Sequence, residues 1–226
     1  GVTGSVEFNN LEMADPVESN ALIRLSSGSL NFTMIKSLVR DTPTVSPGNN
    51  GLELYPSGTG SITASITNSD FLRNRANGIQ VLTDGAGTFD VEIVGGDFNT
   101  NNIGINIAMN GSANTRFDIS DTSMVGNVAS PINVNLAAMS AAASSLVGTI
   151  DNNEIGDPSV TDSGSQTGPG LRIVSNGAGT LTVDITNNVI VRVKDNIGIQ
   201  GLARDGDSTL NMTITGNSIT HTSTLA

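Results

Sequence analysis

The chain contains no cysteine and no tryptophan, one tyrosine and one histidine among 226 residues. Without cysteine there is no disulfide, no thiolate metal site and no thiol nucleophile, a usage compatible with bacterial export. Aromatic residues make up only 3%, so a core must be assembled from Ile, Leu and Val. Ten Lys and Arg stand against 21 Asp and Glu, a formal charge of -11, which argues against nucleic acid or an anionic membrane as the principal partner. No run of 18 apolar residues is present, so direct insertion into a membrane as a helix is not expected.

What the chain has in abundance is glycine, 26 residues, and a phrase that recurs. Asp84 to Phe98 reads DGAGTFDVEIVGGDF and Asn176 to Ile190 reads NGAGTLTVDITNNVI. With Ile185 as anchor, equivalent residues are Phe8, Met34, Ile66, Ile93, Ile119, Ile150 and Ile214, spaced by 26 to 35 residues. Five positions beyond each lies a second apolar residue: Met13, Val39, Phe71, Phe98, Met124, Ile155, Ile190 and Ile219. Between the two sits a polar or small pair, such as Asn152-Asn153 or Gly95-Gly96, types that tolerate left-handed backbone and turn the chain sharply.

A third apolar phrase follows: Ile23 to Leu25, Leu52 to Leu54, Ile79 to Val81, Ile105 to Ile107, Ile132 to Val134, Leu171 to Ile173 and a weaker Ile199 to Gly201. Alternation within the phrases, as in Leu181, Val183 and Ile185 against Thr182 and Asp184, has the period of a strand with one wet face. Helical periodicity is lacking except in the Ala-rich piece 137–145, which reads either as a turn of helix on a corner or as an irregular loop. Strands this short cannot bury an apolar side alone, whereas stacked units share one interior. A propeller blade would need a longer period, around 40 residues. The pattern predicts an all-β parallel solenoid of about eight stacked turns occupying residues 1–226 as one domain.

These residues resemble the right-handed parallel β-helix of the pectin-lyase-like superfamily, through NNGLEL at 49–54, NGIQV at 77–81, NIGINI at 102–107 and the DNNEI and TNNVI corners. The resemblance covers Phe8 to Ile219 and implies a single-stranded right-handed β-helix. It also implies an extracellular or bacterial cell-surface location, and it fits polysaccharide lyases, glycoside hydrolases, adhesins and spacers alike. The chain is expected to be a segment of a longer solenoid with flanking turns, since exposed ends leave backbone and apolar residues unpaired.

In a solenoid, function must come from outward columns or from the excursions between strands. The outward residues put two acid pairs on adjacent turns, Glu92 with Asp118 and Asp70 with Asp97. Like charges one step apart repel unless a cation or water screens them. Oxygen ligands of this kind select calcium, and Asp70 and Asp97 are the candidate metal pair, although no EF-hand or nonapeptide calcium array is present. Arg73 and Arg75 lie just beyond the same corner, so Asp70, Asp97, Arg73 and Arg75 are also the candidate catalytic set of a lyase, in which a cation stabilises developing negative charge and a basic group removes a proton. They match the superfamily's lyases in composition and not at aligned motif positions. The galacturonan-hydrolase signatures N-T-D, D-D, G-H-G and R-I-K are absent, and the sole histidine, His221, lies in the terminal stretch.

Two polar excursions, Arg40 to Asn50 and Gly156 to Gly170, are candidate binding elements but carry no aromatic residue. Tyr55 reads as a corner-packing residue or a lone sugar platform. The preferred expectation is a structural repeat or spacer of an exported bacterial surface or secreted protein, in weak contact with a glycan or a surface protein. The alternative is a lyase or hydrolase acting on an acidic glycan.

Overall fold

A computed structural model describes residues 2–42, 49–137, 144–195, 197–205 and 207–221. Among them are 21 strands and no helix, and every strand pairing is parallel. The Ala-rich piece at 138–143 and the middle of the first excursion, 43–48, lie outside the described residues.

Each coil has three sides. Strands such as Thr88–Val94, Asn114–Ser120 and Ser145–Asp151 form side one, and short strands such as Asp70–Leu72, Phe98–Asn99 and Glu154–Ile155 form side two. Side three is built from strands such as Asn77–Thr83, Ile103–Met109 and Leu171–Ser175. All eight anchors fall in one column, pairing Phe8 with Met34, Met34 with Ile66, Ile66 with Ile93, and onward through Ile119, Ile150 and Ile185 to Ile214. Side three has seven rungs, starting at Ala21, so the chain completes about seven turns.

One register differs from the sequence reading. Leu52 pairs with Ala21 and Leu54 with Ile23, so the first side-three phrase begins two residues earlier than Ile23 to Leu25. A shift of two leaves every side chain on its own face, which is why alternation alone could not detect it. The ladder slips once between Leu25 and Ser27, where the two longest strands, Ala21–Ile35 and Leu52–Thr67, run unbroken from side three into side one. In later coils a turn separates those sides. The repeated DGAGT phrase is that turn: Gly85 has φ of 68°, and a Cβ added to Gly111 on the next coil would sit 1.9 Å from the Gly85 carbonyl oxygen. The second copy, NGAGT from Asn176, occupies the same corner, between Leu171–Ser175 of side three and Thr180–Thr186 of side one.

The two bends around side two are equally regular. Two residues beyond each anchor the chain enters the left-handed region, at Asn10, Lys36, Asn68, Gly95, Asp121, Asn152, Asn187 and Gly216. A second such column, at Asp15, Asp41, Arg73, Thr100, Gly126 and Arg192, ends side two. Asn and Gly suit these positions, whereas Thr100, β-branched with φ of 60°, holds one at a cost of about 1 to 2 kcal/mol.

The interior follows from the inward columns. Ile93 is fully buried between Ile66 and Ile119. Phe71 and Phe98 stack on successive turns with centroids 5.1 Å apart and planes 9° from parallel. Large and small residues also complement one another: Phe117 pairs with Gly148, where a Cβ would lie 2.4 Å from the Phe117 ring. Buried amides line the bends. Asn153 Nδ2 donates to Asn188 Oδ1 at 2.9 Å and Asn188 Nδ2 to Asn217 Oδ1 at 2.8 Å, while Asn74 Nδ2 donates to Asn101 Oδ1 at 3.1 Å in a separate run. Their remaining donors and acceptors meet backbone groups, so the bends leave few polar atoms orphaned.

Candidate functional site

Asp70 opens a side-two strand and Asp97 precedes the next one up, so both stand on adjacent coils as their spacing predicts. Their relation is more specific than repulsion: Asp70 Oδ1 accepts the backbone N–H of Asp97 at 2.9 Å. One carboxylate therefore serves the ladder. Among the described residues no group of three or more His, Asp or Glu side chains is arranged to hold a metal ion.

Arg73 and Arg75 leave the same coil but turn elsewhere. Arg73 forks onto Asp41 one coil below, with Nε 2.6 Å from Oδ1 and Nη2 2.9 Å from Oδ2. Arg40 touches the same carboxylate and also Glu12, completing a four-member chain of charges up the second bend. Hydrogen bonding from Arg73, aided by Arg40 and opposed by partial burial, holds the Asp41 carboxyl down at about 2. The Arg75 backbone N–H donates to Thr42 Oγ1 at 2.6 Å, and its side chain is exposed.

Both arginines line a groove of about 550 Å³, together with Thr42, Thr100, Asn102 and Val128. Asp70 and Asp97 do not line it. The four candidate residues are thus neighbours along the chain, yet the acids and the arginines face different surroundings. The second acid pair behaves similarly. Glu92 and Asp118 are cross-strand partners, but Arg116, two residues before Asp118 on the same face, places Nε at 3.0 Å and Nη2 at 2.8 Å from its Oδ2. Thr149 on the next coil donates to the other oxygen. The shallow depression around Asp90, Glu92, Arg116 and Asp118 measures about 380 Å³.

Tyr55 carries Arg24 over one face, 4.8 Å from the ring centroid, and its hydroxyl lies 3.4 Å from Asp84 Oδ2. That face is closed to a sugar. His221 is exposed.

Sequence reading missed Arg172. It stands on side three at the head of a directional amide chain, Nη1 donating to Asn133 Oδ1 at 2.9 Å, Asn133 Nδ2 to Asn106 Oδ1 at 2.6 Å, and Asn106 Nδ2 to Gln80 Oε1 at 2.7 Å. Burial, with repulsion from Arg204, lowers its pKa from the ordinary arginine value. The excursion 163–168 is pinned over this region by Thr167 Oγ1 donating to the Val128 carbonyl and Ser165 Oγ to that of Ala129. The advance sign was an outward arginine in a column that runs Leu22, Glu53, Gln80, Asn106, Asn133, Arg172 and Gln200.

The fold and its surface define a parallel β-solenoid with polar outward ladders and filled inward columns. No family model, curated protein or solved structure matches the chain.

Proposed function

We propose that the chain is a structural repeat or spacer region of an exported bacterial surface or secreted protein, a right-handed β-helix of pectin-lyase-like type that extends and presents other regions outside the cell. Weak contacts with a glycan or a surface protein belong to the same reading. The observation that carries it is the separation of charges: among the described residues the groove holding Arg73 and Arg75 has no carboxylate in its lining, and Asp70 is engaged with the Asp97 amide. A lyase or hydrolase needs its acids, bases and cation converging on one bond. A calcium ion at Asp70 and Asp97 would need backbone carbonyls or water to complete its set of about six to eight oxygens, and the spacer reading does not require one.

The test is to incubate the purified chain with polygalacturonate, with and without calcium, and to follow unsaturated products and new reducing ends. No turnover is expected. Turnover abolished by Asp97→Asn or Arg75→Ala would overturn the spacer reading in favour of the acidic-glycan enzyme. A companion variant deletes 94–119, joining Ile93 to Ser120 in phase. It should remain folded and shorter by one step, about 4.8 Å.

A further inference from the structure

The groove at Arg75 does not end where its first lining residues do. Asn102 and Val128 close one end of it, and their chain neighbours Ile103 and Ala129 open a second cavity of about 300 Å³ that ends on Arg172 beneath Thr167 and Pro169. Adjoining through these neighbours, the two make a trough lined from five successive coils, from that of Thr42 to that of Arg172. Among the described residues its lining includes three arginines and not one Asp or Glu, on a protein where acids outnumber bases by 21 to 10. Arg73 is neutralised by Asp41, but neither Arg75 nor Arg172 meets a carboxylate among the described residues. Half-burying a guanidinium against an amide, with no counter-ion, costs free energy that an incoming anion would recover.

From this charge complementarity we infer that the trough is a docking groove for an extended acidic peptide segment of a partner protein, with carboxylates seated on Arg75 and Arg172. Three coil steps separate the two arginines along the stack, roughly 14 Å at ~4.8 Å per step, and Arg75 precedes Gln80, which stands in the column of Arg172, by five residues, so the full span is roughly 20 Å, which an extended peptide covers in about six residues. The segment is thus defined by acidic residues about six positions apart, with small or polar residues between them lying over Asn102, Val128 and Ala129. A peptide fits better than a glycan because no aromatic ring lines the trough to stack a sugar, while aliphatic surface and amides are available. Arginine forks suit carboxylates in two-point geometry. The inference goes beyond the spacer reading, since a spacer could be inert along its whole length.

The test uses the full chain and a fluorescein-labelled ten-residue Gly/Ser/Thr peptide carrying two glutamates about six positions apart, read by anisotropy at low and moderate salt. Saturable binding that weakens with salt is expected, at least tenfold weaker for the same peptide with glutamines. Arg75→Glu and Arg172→Gln should each weaken binding at least fivefold. Arg75→Glu is at an exposed position and should leave the melting curve unchanged, and Arg172→Gln retains a donor for Asn133, so loss of binding is separable from loss of fold. Absence of saturable binding at low salt, binding indifferent to both substitutions, or binding of tetragalacturonate in place of the peptide with the same arginine dependence would each overturn the proposal. Glycan turnover reads the spacer hypothesis separately.

Discussion

Asn153 is the residue whose removal should hurt most for its size. Its side chain is buried at a bend in the middle of the stack, where Oδ1 accepts the Thr122 backbone N–H at 3.1 Å and the Thr122 hydroxyl at 2.7 Å. Its Nδ2 donates to the Ile119 carbonyl at 3.2 Å and to Asn188 Oδ1 at 2.9 Å. Truncation to alanine leaves the Thr122 N–H and the Ile119 carbonyl without those partners, and breaks the amide run. Each buried orphan costs about 1 to 3 kcal/mol, and the hydroxyl can rotate, so a total of about 3 to 5 kcal/mol is expected. The adjacent Asn152 is the control: exposed, with φ of 53°, it should lose only about 1 to 2 kcal/mol on change to alanine through left-handed strain. Repeat proteins open locally, so native-state hydrogen exchange at Ile119 to Thr122 should accompany urea denaturation. Equal losses at Asn152 and Asn153, or unchanged exchange in that coil, would refute the ladder's role.

Ile93→Asp should cost about 3 to 5 kcal/mol by placing a carboxylate among Ile66 and Ile119, whereas Thr182→Asp on the outward face should stay within about 0.5 kcal/mol, apart from repulsion by Asp184, both read by denaturation. Gly148→Val drives a side chain into the Phe117 ring and should destabilise by about 1 to 3 kcal/mol, with Phe117→Leu in the same chain recovering part of the loss. Thr100→Gly relieves a left-handed β-branched residue and should raise stability by about 0.5 to 1 kcal/mol, measured as a shift in denaturation midpoint. The Asp41 carboxyl is held at about 2 in the folded chain, below the ordinary 3.8, so its contribution is present above pH 3.8 and is lost as pH falls towards 2. After allowance for solvent screening, Asp41→Asn should cost about 1 kcal/mol at pH 7 and only a small fraction of that at pH 2, with high salt narrowing the difference.

The anchor column was legible because one apolar residue must face inward at the same phase in every coil, and Phe8 through Ile214 pair in that register. The first side-three phrase was misplaced by two residues because a period of two is blind to an even slip, and the bulge after Leu25 leaves no local mark. Asparagine pairs were read as turn formers. At 152–153 and 187–188 the first residue is one, while the second is a buried ladder rung, a distinction made only by the neighbouring coil. Adjacency of Asp70 and Asp97 follows from the repeat, but the partner of Arg73 does not. Asp41 lies 32 residues away across an excursion of irregular length. Arg172 was hidden for the same reason, since its shelter depends on the path of 163–168 over the bend.

The coils stack in the anchor register, and a chain with no cysteine permits a direct ruler of that stacking. Spin labels on cysteines placed at Ser65 and Asp184, four steps apart in one outward column, should lie roughly 19 Å apart. Labels at Thr33 and Thr213, six steps apart, should lie roughly 29 Å apart. Dipolar electron resonance on both pairs should give distances that grow by about 4.8 Å per coil, broadened by the label arms. Two distances out of proportion to the number of coils, or a longer pair no farther apart than the shorter, would contradict the solenoid and every outward assignment drawn from it.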